Sequence, residues 1–102
     1  MAWGITDRLG TKCMIINLDT GAYFYWEKYQ NTWHLYFDIS RVVLCDYREQ
    51  YDNIVPISVM EIFEQDFSIA RCNNIMESIF NKLKNNESVD FETIKNVSKS
   101  SI

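Results

Sequence analysis

The sequence predicts an α+β domain in which an N-terminal antiparallel β-meander of about four strands is followed by two to three helices packed on one face of it. Three observations carry this reading. Between Lys12 and Tyr47 apolar and polar residues alternate with a period of two, the spacing of half-buried strands. After Pro56 the apolar residues recur at three-and-four spacing, the spacing of a helix face. The chain has 102 residues, which suits one domain spanning 1–102 and leaves little room for a second.

Residues 1–11 read as a lead-in that holds two of the three glycines. From Lys12 to Leu18 the residues Met14, Ile16 and Leu18 alternate with Cys13, Ile15 and Asn17. Asp19-Thr20-Gly21 then suits a three-residue hairpin loop, a type I turn closed by a left-handed glycine. That loop sets Leu18 opposite Ala22, Ile16 opposite Phe24 and Met14 opposite Trp26. A two-residue turn at Asn31-Thr32 extends the same apolar face, with Trp26 opposite Phe37, Phe24 opposite Ile39 and Lys28 opposite Leu35. Arg41 to Tyr47 continues as a fourth strand with Val42 and Leu44 inward, so the sheet spans 12–47.

The helical region spans 56–97. Pro56 suits the first turn of a helix, with Ile57, Met60, Ile62 and Phe63 on its apolar side. Asp66 or Ser68 caps a second helix carrying Ile69, Cys72, Ile75, Met76, Ile79, Phe80 and Leu83. Lys82 and Lys84 near its end complement the helix dipole, and Asn85-Asn86 ends it. This helix, 69–84, is expected to lie across Met14, Ile16, Phe24, Trp26, Leu35 and Phe37. Ser88 or Asp90 starts a short last helix using Phe91, Ile94 and Val97. Residues 98–102 read as a frayed tail.

Charge narrows the function. The net charge of −4 argues against a general nucleic-acid binder, which neutralises phosphates with clustered lysine and arginine. Lys28 and Arg41 flank the aromatic strands, but Glu27, Asp38 and Asp46 beside them would oppose a phosphate backbone. No apolar run is long enough to span a membrane, and no signal-peptide core precedes the first strand. Cys13, Cys45 and Cys72 are odd in number and widely spaced, which suits reduced thiols in a cytoplasmic protein better than a disulfide framework or a zinc site. No metal or cofactor is expected.

The segment Ile15-Ile16-Asn17-Leu18-Asp19-Thr20-Gly21-Ala22 resembles the Asp-Thr-Gly-Ala signature of retroviral-type aspartic proteases. The resemblance implies that Asp19 is one of two carboxylates sharing a proton across a dimer. It covers these eight residues only. A Gly-rich flap and the second apolar-Gly-Arg element of that family are missing, and the last third of the chain reads as helical. A hairpin turn explains Asp, Thr and Gly with no further assumption. His34, the one histidine, shares its face with Tyr23, Tyr25, Glu27, Tyr36 and Asp38, which reads as an exposed sheet position rather than a general base. No catalytic residue is assigned and no enzymatic activity is expected.

What remains is the outer sheet face, with Ile15, Tyr23, Tyr25, Tyr29, His34, Tyr36, Val43, Cys45 and Tyr47. It is too apolar for an ordinary solvent face. It packs either under the N-terminal segment or last helix, or against a partner. Tyrosine favours the partner reading, because it combines large area, few torsions and a polar tip. Between Asp46 and Asp66 six acids face one base, Arg48, a field that attracts a basic protein. Contact is therefore expected from Tyr23, Tyr25, Tyr29, His34, Tyr36 and Asp38, and electrostatic attraction from Asp46, Glu49, Asp52, Glu61 and Glu64. The chain reads as a non-catalytic protein-binding module, an acidic inhibitor of a basic toxin or nuclease of the bacterial immunity type. A phage-encoded inhibitor of a host defence nuclease rests on the same physics. A small homodimeric scaffold or regulatory subunit is the alternative from another class.

Overall fold

Alternation and helical spacing mostly give the element types they favour, and the exceptions have local causes. The computed structural model describes residues 2–8, 13–39, 42–45, 48–51 and 55–101, without the side chains of 20–22, 39, 42–45, 48–51, 55 and 100–101. Its elements are β1 (Trp3–Ile5), β2 (Ile15–Asn17), β3 (Gly21–Tyr29), β4 (Thr32–Ile39), β5 (Val42–Cys45), β6 (Arg48–Tyr51), β7 (Val55–Phe63), α1 (Ile69–Lys84), β8 (Val89–Asp90) and α2 (Phe91–Val97). One three-stranded sheet has the order β3-β4-β7 and is antiparallel throughout. A second has the order β2-β1-β8, with β8 parallel to β1. The fold class is α+β, as the sequence predicts.

The β3–β4 hairpin keeps the predicted faces in a different register. Its turn is Gln30-Asn31 rather than Asn31-Thr32, so Phe24 lies opposite Phe37, Trp26 opposite Leu35 and Lys28 opposite Trp33. Gln30 takes the left-handed conformation the tight turn needs (φ 55°), and the Glu64 amide donates to the Asn31 carbonyl at 2.8 Å. The pairing is displaced by two residues from the predicted one, an even shift that leaves every side chain on its face.

The first predicted hairpin does not form. Ile15–Asn17 pairs with Trp3–Ile5 instead of with β3, and Leu18–Thr20 forms a 3-10 turn in place of the three-residue loop. The lead-in is therefore a strand. Gly4 permits this pairing, because a Cβ there would lie 2.8 Å from the Phe91 ring and 3.2 Å from Leu18. Ile16 and Leu18 are buried in the core, whereas Met14 is exposed and does not lie under α1. Asp19 is an exposed turn residue whose carboxylate accepts from the Ala2 amide at 3.3 Å.

Val55–Phe63 is a strand, not a helix. The spacing from Ile57 to Met60 comes from a bulge: Leu35 faces Met60 while Tyr36 faces Ser58, so Val59 is an extra residue and is buried beside Met60. Pro56 is the second residue of this edge strand, a position at which a sheet tolerates proline. Val42–Cys45, the expected fourth strand, pairs with Arg48–Tyr51 in a separate hairpin and β7 takes its place beside β4. The predicted inward side of Val42 and Leu44 falls on side chains outside the described ones.

Ser68 caps α1 by accepting the Arg71 amide at 3.0 Å, and Asp90 caps α2 by accepting from Glu92 and Thr93. Ile75 and Ile79 reach the core, as do Phe91 and Ile94 of α2; Ile69, Phe80 and Val97 are exposed. The predicted tail is instead tied down. Ser98 is buried, and its hydroxyl accepts from Arg71 Nε at 2.9 Å and donates to the Lys95 carbonyl at 2.6 Å.

Asp7 joins the two sheets. Its amide donates to the Val59 carbonyl, and its Oδ2 accepts from the Glu61 amide at 2.9 Å and from Lys95 Nζ at 2.8 Å. Both side chains of this pair are buried, 7% and 8% exposed. Removing one partner of such a pair leaves an uncompensated buried charge. Asp7→Asn is expected to cost about 3–5 kcal/mol in chemical denaturation, and Lys95→Met added to it to recover part of that loss. Phe37→Ala is expected to cost about 3–5 kcal/mol by the cavity it leaves. Wild-type stability in the Phe37 variant would contradict the assigned faces.

Candidate functional site: the outer face of the large sheet

Side chains on β3, β4 and β7 that alternate away from the core fall into rows, because directly paired residues share a face. One row is Tyr25–Tyr36–Ser58, the next Glu27–His34–Glu61, and the last Tyr29–Thr32–Phe63. Asp38, opposite Pro56, begins the face at the end where Tyr23 lies beside the irregularity in β3. The aromatic rings are in continuous contact. Tyr23 and Tyr25 are 5.6 Å apart between centroids, Tyr25 and Tyr36 are 5.5 Å apart and stacked, and Tyr36 and His34 are 5.6 Å apart and stacked. Tyr23 and Tyr29 are exposed; Tyr25, His34 and Tyr36 are half-buried.

The described core residues of the N-terminal segment and α2 pack on the other face. Ala2, Ile16, Leu18, Phe91 and Ile94 belong to the core with Leu35 and Phe37, on the opposite side of the sheet. Phe91 approaches Phe24 at 5.9 Å on that inner side.

The face is acidic. Glu27 and Glu61 flank His34 in one row, Asp38 lies beyond, and none of these rows carries a lysine or arginine. Hydrogen bonding to Asp38, with its charge, raises the Tyr23 phenol above the ordinary tyrosine value. Tyr25 is raised by burial first and by Asp38 second, and Tyr36 by burial and then by Glu27 and Glu61. Against expectation, Asp38 is 4% exposed rather than open. Of the acids predicted to attract a partner, Glu61 lies within the face and exposed Glu64 pairs with Lys28 at 2.5 Å. Asp46 and Asp52 lie outside the described residues; Glu49 is placed in β6, but its side chain is not described.

Ser58 was missed because its segment reads as helical in sequence. Its Oγ is 3.3 Å from His34 Nδ1, and Glu61 Oε1 is 3.6 Å from the same nitrogen. A serine–histidine–acid relay needs the nucleophile on one ring nitrogen and the orienting acid on the other. Here both meet Nδ1, so the trio lacks relay geometry. The cleft of about 290 Å³ between β7, α1 and α2 is lined by Ile62, Phe63, Arg71, Glu92, Lys95 and Lys99 among others, and includes neither His34 nor Ser58. Arg71 in its wall is a structural tie, bonding Ser98 Oγ and the carbonyls of Asp66 and Lys95. No group of three or more potential metal-ligating side chains is found among the described residues.

The raised phenols predict an alkaline titration. Folding favours the neutral form, so the stability involved is fully present below the ordinary tyrosine value and is lost as pH rises through the folded values. Ultraviolet titration is expected to show late-ionising tyrosines, and Asp38→Asn to move Tyr23 back down; unchanged titration in the variant would remove Asp38 as the cause. No family model, curated protein or solved structure matches this chain, so the site is read from its own chemistry.

Proposed function

We propose that the chain is a non-catalytic protein-binding module that inhibits a basic protein, a toxin or nuclease, in the manner of an immunity protein. The observation that carries this reading is the outer face of β3-β4-β7, where contiguous tyrosines are joined by Glu27, Asp38 and Glu61 and by no lysine or arginine. Tyrosines supply contact area at low entropic cost, and the carboxylates match a cationic surface while opposing phosphate. The net charge of −4 adds long-range attraction of the same sign. A cytoplasmic compartment fits the free thiols of Cys13 and Cys72. No helix among the described residues is long and apolar enough to cross a membrane.

Capture of the partner from the native host, followed by binding kinetics at two salt concentrations, tests the proposal. Glu27→Gln with Glu61→Gln is expected to slow association at low salt and to have less effect at high salt. Tyr23→Ala is expected to act mainly on dissociation, by about 2 kcal/mol if the ring is an anchor. An association rate indifferent to both salt and the paired substitution would remove the electrostatic basis of the reading. Light scattering on the purified chain separates a homodimeric scaffold from a monomeric inhibitor.

A further inference from the structure

Asp38 is a buried carboxylate that faces no cation among the described residues. It is 4% exposed, and among the described residues its Oδ1 accepts no hydrogen bond and no lysine or arginine forms an ion pair with it. A buried charge short of hydrogen-bond partners is costly, and a second molecule that supplies them offsets that cost. Two features set the kind of completion. Asp38 raises the phenols of Tyr23 and Tyr25, through hydrogen bonding and its charge, so both rings lie close to the carboxylate. The rings of Tyr25, Tyr36 and His34 then stack in sequence with centroid steps of 5.5–5.6 Å, and Tyr23 leans on Tyr25 at 46° to form the near end of this tyrosine ladder.

Resting on the basic-partner reading above, we infer that Asp38 receives the guanidinium of an arginine side chain from the partner, with that arginine laid against the tyrosine ladder. A guanidinium is planar, stacks on aromatic faces, and bonds a carboxylate with two parallel N–H groups. It is also less strongly hydrated than an ammonium, which lowers the cost of entering a site that water barely reaches. Lysine offers the charge without the plane. Tyr23, 51% exposed, is the side chain that swings aside to admit it. Glu27 and Glu61 lie farther along the same face and attract the cationic surface around the inserted side chain.

The test uses the full-length chain and poly-arginine and poly-lysine peptides of equal length as probes. Calorimetry is expected to show the arginine peptide binding about tenfold more tightly, the worth of one charged hydrogen-bond pair. Asp38→Asn, close to isosteric, is expected to abolish that preference while leaving the Tm near wild type. In the wild-type protein, the carboxyl carbon resonance of Asp38 is expected to shift with the arginine peptide and not with the lysine peptide, a readout that needs no variant. Equal affinity for the two peptides, with the Asp38 resonance unmoved, overturns the arginine assignment and leaves the basic-partner reading standing. Binding of neither peptide overturns both. A variant with a lowered Tm and an intact arginine preference assigns Asp38 to the stability of the fold and overturns the inference.

Discussion

The Asp7–Lys95 pair fixes how the two sheets meet. Asp7 lies just after β1 and continues it to the open edge of β7, where its amide and carboxylate take up the Val59 carbonyl and Glu61 amide. Lys95 arrives from α2, near the other end of the chain, and neutralises the carboxylate at 2.8 Å. One residue thus holds β1, β7 and α2 together. The arrangement protects an exposed strand edge, which would otherwise offer unpaired backbone groups to another chain. It also gives β1 a fixed position from which it pairs with β2 on one side and β8 on the other. Arg71 repeats the device on the helical side, using neutral acceptors to lock α1 onto the turn before it and onto the end of α2.

With the helices and the small sheet committed to one side, the large sheet has two unlike faces. Phe24, Trp26, Leu35, Phe37, Met60 and Ile62 point inward, and Trp33 stacks on Phe67 at 4.5 Å to close the core at one end. The alternate residues are left with tyrosine rings packed on one another and carboxylates between them. Aromatic neighbours across paired strands stabilise a sheet even without a covering layer. The outward tyrosines therefore differ in their structural contribution: Tyr25 and Tyr36 stack and brace the β3–β4 pair, while Tyr23 and Tyr29 are exposed.

Much of this was legible in the sequence, because it follows from local periodicity and capping chemistry. The alternation from Ala22 to Ile39 determined β3, β4 and which side chains face the core, and even a register displaced by two residues kept the tyrosines, His34 and Asp38 on one face. The pairs Asp66 or Ser68 and Ser88 or Asp90 bracketed the starts of α1 and α2, of which the structure uses Ser68 and Asp90, and Asn85-Asn86 marked the end of α1. Composition determined the sign of the charge. Only the tertiary structure decided what depends on distant partners. A three-residue strand such as Trp3–Ile5 has no periodicity to reveal it and exists because β2 and β8 flank it. The bulge at Val59 imitates helical spacing, so β7, and with it Ser58 and Glu61 beside His34, was hidden. The burial of Asp38 and the pairing of Asp7 with Lys95, 88 residues apart, are likewise set by packing. Periodicity reports the solvent contrast along one segment; it carries no information about which segment lies alongside.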